Sequence, residues 1–197
     1  MKTTIEKNKK IVITAVFSVI IIILQFMAYM IPTVGGVSFS VVLVPVVLGA
    51  AMYGPVCGAF LGGVFGLVTT AACVIGIDPG GAVLLVANPA VTVILCFVKG
   101  ILAGLVSGLL FKVISAKSGI AAIIISSIAA PVVNTGVFCL GMSLFYIDTL
   151  RSWAGGTDVL VYVFTGLIGL NFVVEVLLNV VLCPVIARSL KLYGKNK

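Results

Sequence analysis

Four polar side chains interrupt apolar stretches long enough to cross a membrane: Lys99, Asn134, Asn171 and Glu175. They are the first candidates for chemistry. Glu175 lies in GLNFVVEVLLNVVLCPVIARSL, Gly169 to Leu190, with Asn171 and Asn179 four residues to either side, so the three share one helical face that is predicted to turn inward. A charge at the centre of a bilayer costs at least about 2.5 kcal/mol on insertion scales, and it persists where it meets a partner or a water- or ligand-filled cavity. Two readings follow: a buried Lys99 to Glu175 ion pair with the asparagines as interhelical glue, or a polar pocket. Catalytic readings have little to stand on. The chain has no histidine, no G-x-x-x-x-G-K-[ST] phosphate loop, no H-E-x-x-H and no paired aspartates within a membrane helix. Cys57, Cys73, Cys96, Cys139 and Cys183 are scattered, odd in number and never in C-x-x-C spacing, so they read as packing residues. The reading is therefore no enzyme, no cofactor and no metal.

These residues must be positioned by membrane helices, because 197 residues that are 62% hydrophobic and 9% charged are too apolar for a soluble domain. Breaks at charged and Gly/Pro-rich positions give six segments: Ile11 to Ile31, Val41 to Met52, Val56 to Val74, Ala90 to Val113, Ile120 to Leu140 and Leu160 to Ala187. The predicted fold is an all-α integral membrane protein, residues 1–197 forming a single six-helix membrane domain without internal repeat. The second segment is short, bounded by Tyr53, Gly54 and Pro55. With the amino end inside, Lys2, Lys7, Lys9, Lys10, Lys112, Lys117, Arg188, Lys191, Lys195 and Lys197 all fall on the cytoplasmic side, against Arg151 outside. Both termini are thus predicted to be cytoplasmic, and the net charge of +7 reflects topology rather than a nucleic-acid partner. The first apolar run is long and lacks an A-x-A-like cleavage site, so it reads as a retained helix rather than a secretory signal.

Gly54, Gly58, Gly62 and Gly66 recur every fourth residue, as do Gly100, Gly104 and Gly108. Lipid offers helices no hydrophobic drive to associate, so these smooth rows predict close contact between the third and fourth segments. Pro131 removes one backbone bond from the fifth, and Asn134 is placed to meet the freed groups.

Depth favours the pocket. Lys99 is 13 residues from Lys112 and Glu175 is 13 from Arg188, which puts both about 20 Å above the inner boundary. Asn134 is 17 residues beyond Lys117 and Asn171 is 17 from Arg188, or roughly 25 Å up. The four groups are expected to converge in the outer leaflet around a pocket open to the outside. Two outer segments are candidate lids: IGIDPGGAVLLVANPAV, Ile75 to Val91, with Asn88, and YIDTLRSWAGGTDVLVY, Tyr146 to Tyr162, with Trp153. Trp153, Tyr146 and Tyr162 read equally well as an interfacial aromatic belt.

Three stretches carry a resemblance to a known family: VPVVLGAAMYGPVCGAFLGGVFGL (Val44 to Leu67), ILCFVKGILAGLVSGLLFKVI (Ile94 to Ile114) and GLNFVVEVLLNVVLCPVIARSL (Gly169 to Leu190). The chain resembles the substrate-binding S-components of energy-coupling factor (ECF) vitamin transporters, most nearly their pantothenate-type branch. The resemblance implies a multi-pass subunit of the cell membrane, with six helices and a vitamin pocket near the outer face. It also implies separate partners, a transmembrane coupling subunit and two ATPases. Members usually dock that coupling subunit through an A-x-x-x-A row on the first helix. Here Ala15 is followed by Val19, so Thr14, Ala15 and Ser18 are the candidate contacts. Pantothenate has one carboxylate, two hydroxyls and an amide. Lys99 would face the carboxylate and Asn134, Asn171 and Glu175 the rest, with Asn88 and Trp153 contributed by the outer segments. The alternatives are an S-component for another vitamin, such as riboflavin or folate, and a proton- or sodium-coupled secondary transporter with Glu175 as the coupling carboxylate.

Overall fold

The computed structural model describes residues 2–30 and 41–190. Ile31, the expected end of the first apolar segment, and Lys191, Lys195 and Lys197 of the basic tail lie outside the described residues. The described chain is helical without strands: α1 (Lys2–Met30), α2 (Leu43–Tyr53), α3 (Pro55–Val74), α4 (Pro79–Ala87), α5 (Pro89–Ile114), α6 (Gly119–Phe145), α7 (Ile147–Ala154), α8 (Val159–Tyr162) and α9 (Gly169–Ser189). A π-helical turn, Val163–Ile168, joins α8 to α9.

Among the described residues five helical stretches are long and apolar enough to cross a membrane: Lys7–Met30, Pro55–Val74, Pro89–Ile114, Gly119–Phe145 and Val159–Ser189. The second expected segment, Val41 to Met52, is short in the structure too. It forms an 11-residue helix, α2, about half the length that a lone crossing of the hydrocarbon core needs. Its surroundings explain why it persists. Leu43 to Ala50 are all buried, and α2 touches α1, α3, α5, α6 and α9, so protein rather than lipid surrounds it. Gly54, at φ 89°, then makes the sharp turn into α3, with Pro55 at the first helical position. By contrast α1 leaves Ile11, Val16, Val19, Ile23 and Met27 exposed along one side, as a lipid-facing helix would.

The two outer segments, expected as loops, contain helices. Asp78 caps α4 by accepting from the Gly81 N–H at 2.9 Å, and Asn88 caps α5 by accepting from the Val91 N–H at 3.2 Å. Each cap is followed by a proline at the first helical position, a start signal that overrides the reading of these Gly/Pro clusters as irregular chain.

Helix directions follow from the contacts. Thr14 meets Cys57 while Tyr29 reaches Thr69 and Cys73, so α1 and α3 run parallel. Gly66 faces Cys96 while Gly58 faces Gly104, so α3 and α5 run antiparallel. Lys99 meets Phe138 while Thr92 meets Tyr146, so α5 and α6 are antiparallel too. Lys10, Lys112 and Lys117 therefore share one end of the bundle, and Asp78, Asp148 and Arg151 share the other.

The α3 and α5 contact is backbone on backbone. A Cβ on Gly66 would sit 2.7 Å from the Cys96 carbonyl oxygen, and one on Gly108 would sit 2.6 Å from the Pro55 Cα. On Gly62 and Gly104 it would overlap the facing backbone outright. Pro131 is buried within an uninterrupted α6. Asn134, close by on the same helix, has its Oδ1 buried without a hydrogen-bond partner.

Candidate functional site

At the acidic end of the bundle α3 and α5 border a cavity of about 200 Å³. Its wall is drawn from five elements. Thr69 and Cys73 come from α3, Thr92, Leu95, Cys96 and Lys99 from α5, Gly81 and Leu84 from α4, Phe138 from α6 and Trp153 from α7, with Asp78 between α3 and α4.

Local geometry holds each side chain. The threonine hydroxyls are satisfied by their own helices, Thr69 donating to the Phe65 carbonyl at 3.0 Å and Thr92 to the Asn88 carbonyl at 2.8 Å. Buried Tyr146 donates to the same Asn88 carbonyl at 2.9 Å and lies 2.7 Å from Thr92 Oγ1, tying the α6–α7 junction to the start of α5. This buried hydroxyl corrects the aromatic-belt reading for Tyr146. Trp153 is half-buried over the cavity, its Cη2 3.9 Å from where a Gly80 Cβ would stand. Cys73 Sγ presses on Gly81, leaving no room for a side chain between α3 and α4.

Lys99 is half-buried and brings its ammonium between two aromatic faces, 5.0 Å from the Phe138 ring centre and 5.7 Å from that of Phe65. Ring faces attract a cation without neutralising it. The one ion pair among the described residues is Arg151–Asp148 at 3.3 Å, exposed at the acidic end of the bundle. Glu175 makes no ion-pair contact with Lys99.

Of the residues expected at a site, the structure brings Lys99 and Trp153 to this cavity. Glu175 is half-buried on α9 and does not line the cavity, and Asn179, fully buried, donates to the Glu175 backbone carbonyl at 2.8 Å. Leu170, Val173, Leu177 and Val181 are exposed on the opposite side, so the polar face of α9 is the inward one. Asn134 and Asn171 are half-buried and do not border the cavity. Asn88 is exposed, its side chain occupied as the α5 cap. Thr14, Ala15 and Ser18 stand elsewhere, in an apolar groove of about 590 Å³ between α1 and α3 whose far end is Lys10. Ser18 donates to the Thr14 carbonyl at 2.9 Å, so its hydroxyl costs nothing in an apolar setting. The cavity-lining residues that sequence reasoning passed over are Asp78, Thr69, Thr92 and Phe138.

A comparison with known families settles the class. The family model for the ECF transporter substrate-specific component matches residues 9–187. The chain belongs to this family. No curated protein matches it. As an ECF S-component the chain is the substrate-binding membrane subunit of a transporter, a multi-pass membrane protein and not an enzyme. S-components bind a small-molecule substrate and work with an ECF module of coupling subunit and ATPases, which removes the ion-coupled secondary transporter from consideration.

Proposed function

We propose that this S-component captures pantothenate from the outer face of the cell membrane and delivers it through an ECF module with two ATPases. The observation that carries the reading is the state of Lys99. It is a cation on the wall of a small cavity, flanked by aromatic rings and lacking a carboxylate within ion-pair distance, so the position suits an anionic ligand. A volume of about 200 Å³ lies below the roughly 300–1,000 Å³ of sites for drug-sized ligands, which supports a compact vitamin over riboflavin or folate. Thr69, Thr92 and Trp153 offer hydroxyl and indole groups to the remainder of the ligand. Asn134, Asn171, Glu175 and Asn88 stay in the proposal as an outer ring, recruited when the ligand is larger than the cavity.

The topology proposed with it has six crossings and both termini in the cytoplasm. The sixth crossing is α2, short because it is wrapped by other helices. Lys10, Lys112, Lys117 and Arg188 then lie inside, as the distribution of basic residues in membrane proteins demands. The groove lined by Thr14, Ala15 and Ser18 opens toward that side, and we assign it to the coupling subunit, since small residues permit close helix approach.

The test is to extract and identify by mass spectrometry the small molecule carried through purification, then to measure its uptake in proteoliposomes. Pantothenate, accumulated only with the complete ECF module and ATP, is the expected result. A different molecule would overturn the assignment.

A further inference from the structure

The cavity holds a second charge that the pantothenate reading did not require. Asp78 lines it from the outer end, half-buried, where Lys99 lines it from α5. One oxygen of Asp78 is explained, since Oδ1 accepts the Gly81 N–H at 2.9 Å and caps α4. The charge is not explained by that role. Asn88 and Ser118 cap α5 and α6 as neutral residues, and asparagine caps a helix as well as aspartate does. Asp158 also caps a helix, but it is exposed to water, where a carboxylate is cheap. Asp78 has no cationic partner among the described residues, and Lys99, in the same small cavity, is beyond ion-pair distance. Two opposite charges line one cavity and leave each other unneutralised.

We propose that Asp78 is a specificity-determining residue, selecting a ligand whose single anionic group goes to Lys99 and whose opposite end carries hydroxyl or ammonium donors. The proposal rests on the reading of this cavity as the substrate site and names the charge pattern that the site accepts. A carboxylate accepts hydrogen bonds and donates none, so Asp78 favours donor-bearing groups. It repels a second anion at the same end, and specificity built on such repulsion discriminates strongly between close relatives. The importer therefore takes the free hydroxyl form of its substrate and refuses the form phosphorylated at that hydroxyl.

The full-length protein, purified in detergent, is titrated with pantothenate and with 4′-phosphopantothenate, as wild type and as Asp78→Asn. Asparagine retains the cap and removes the charge. The wild type is expected to prefer pantothenate by at least roughly tenfold, and Asp78→Asn to shrink that preference to about threefold or less, by weakening pantothenate and strengthening the phosphate ester. An unchanged preference in a variant of unchanged melting temperature would overturn the proposal. If Asp78→Asn melts early, Asp78→Ser, another good cap, supplies the same comparison. If the wild type binds neither probe, the vitamin assignment fails by itself, and the molecule identified by mass spectrometry decides about Asp78. A monoanion with donors at its far end upholds the proposal; a ligand anionic at both ends, or without an anion, overturns it.

Discussion

Helices α3 and α5 face each other along their whole length, and the two halves of that contact differ in kind. Toward the basic end Gly58 meets Gly104, Gly62 meets Gly100 and Gly66 meets Cys96, each contact made by backbone because no side chain stands between. Toward the acidic end Thr69, Cys73 and Thr92 border open space, as do Cys96 and Lys99 beside the last glycine contacts. In lipid, packing of small residues holds helices together, so a glycine row is a seam and its end is where the seam can part. The comparison teaches that the cavity begins beside the last glycine contacts, where side chains replace bare backbone.

The seam can be broken outright. Gly62→Leu forces a side chain into the Gly100 backbone, which no rotamer relieves, and overpacking of this kind costs from about 1 to 3 kcal/mol upward. The expected outcome is loss of monodisperse protein in size-exclusion chromatography, and a normally folded Gly62→Leu would mean that the helices do not touch there. The outer half should respond differently. Trp153→Ala removes an indole from the cavity wall without touching the seam. Pantothenate affinity is expected to fall by roughly 1–2 kcal/mol in calorimetric titration, with the purified variant still monodisperse. The smallest effect sharpens the comparison most. Gly63 is adjacent to Gly62 yet a Cβ there would find only Ile101 Cγ1 at 3.7 Å and Cδ1 at 4.0 Å, an ordinary contact. Gly63→Ala should therefore raise thermal stability slightly, by up to about 1 kcal/mol of helix propensity, leaving binding as it was.

The seam was legible in the sequence because small residues every fourth position have one meaning in a membrane helix. The spanning segments were legible for the same reason, a single strong signal repeated over many residues. The site was legible only in part. Lys99 stood out as a charge in apolar surroundings, and its depth beside Glu175 was countable. The expected four-way convergence is not what the cavity shows, since depth along a helix fixes height and says nothing of which way a side chain faces, and Asn134, Asn171 and Glu175 do not border it. Asp78 was hidden by its neighbours: in IGIDPGG the Gly/Pro cluster reads as loop, whereas the Asp-Pro pair starts α4 and brings the carboxylate to the cavity. Thr69 and Thr92 carried no signal of their own. Their meaning comes from the register of the seam, one turn beyond Gly66. The shortness of α2 was legible as well, and it is tolerated because lipid sets the length of a helix only when lipid surrounds it, whereas α2 is enclosed by protein.

The central claim is that Lys99 faces the ligand and is not merely the partner of Glu175. Calorimetric titration of pantothenate into Lys99→Met, alongside Glu175→Gln and the double variant, tests it most directly. The account predicts that Lys99→Met weakens binding by about 2–5 kcal/mol, because the ligand carboxylate is left buried and unpaired, and that adding Glu175→Gln does not restore it. A stable double variant that binds pantothenate as tightly as the wild type would contradict the account and make Lys99 and Glu175 a structural pair.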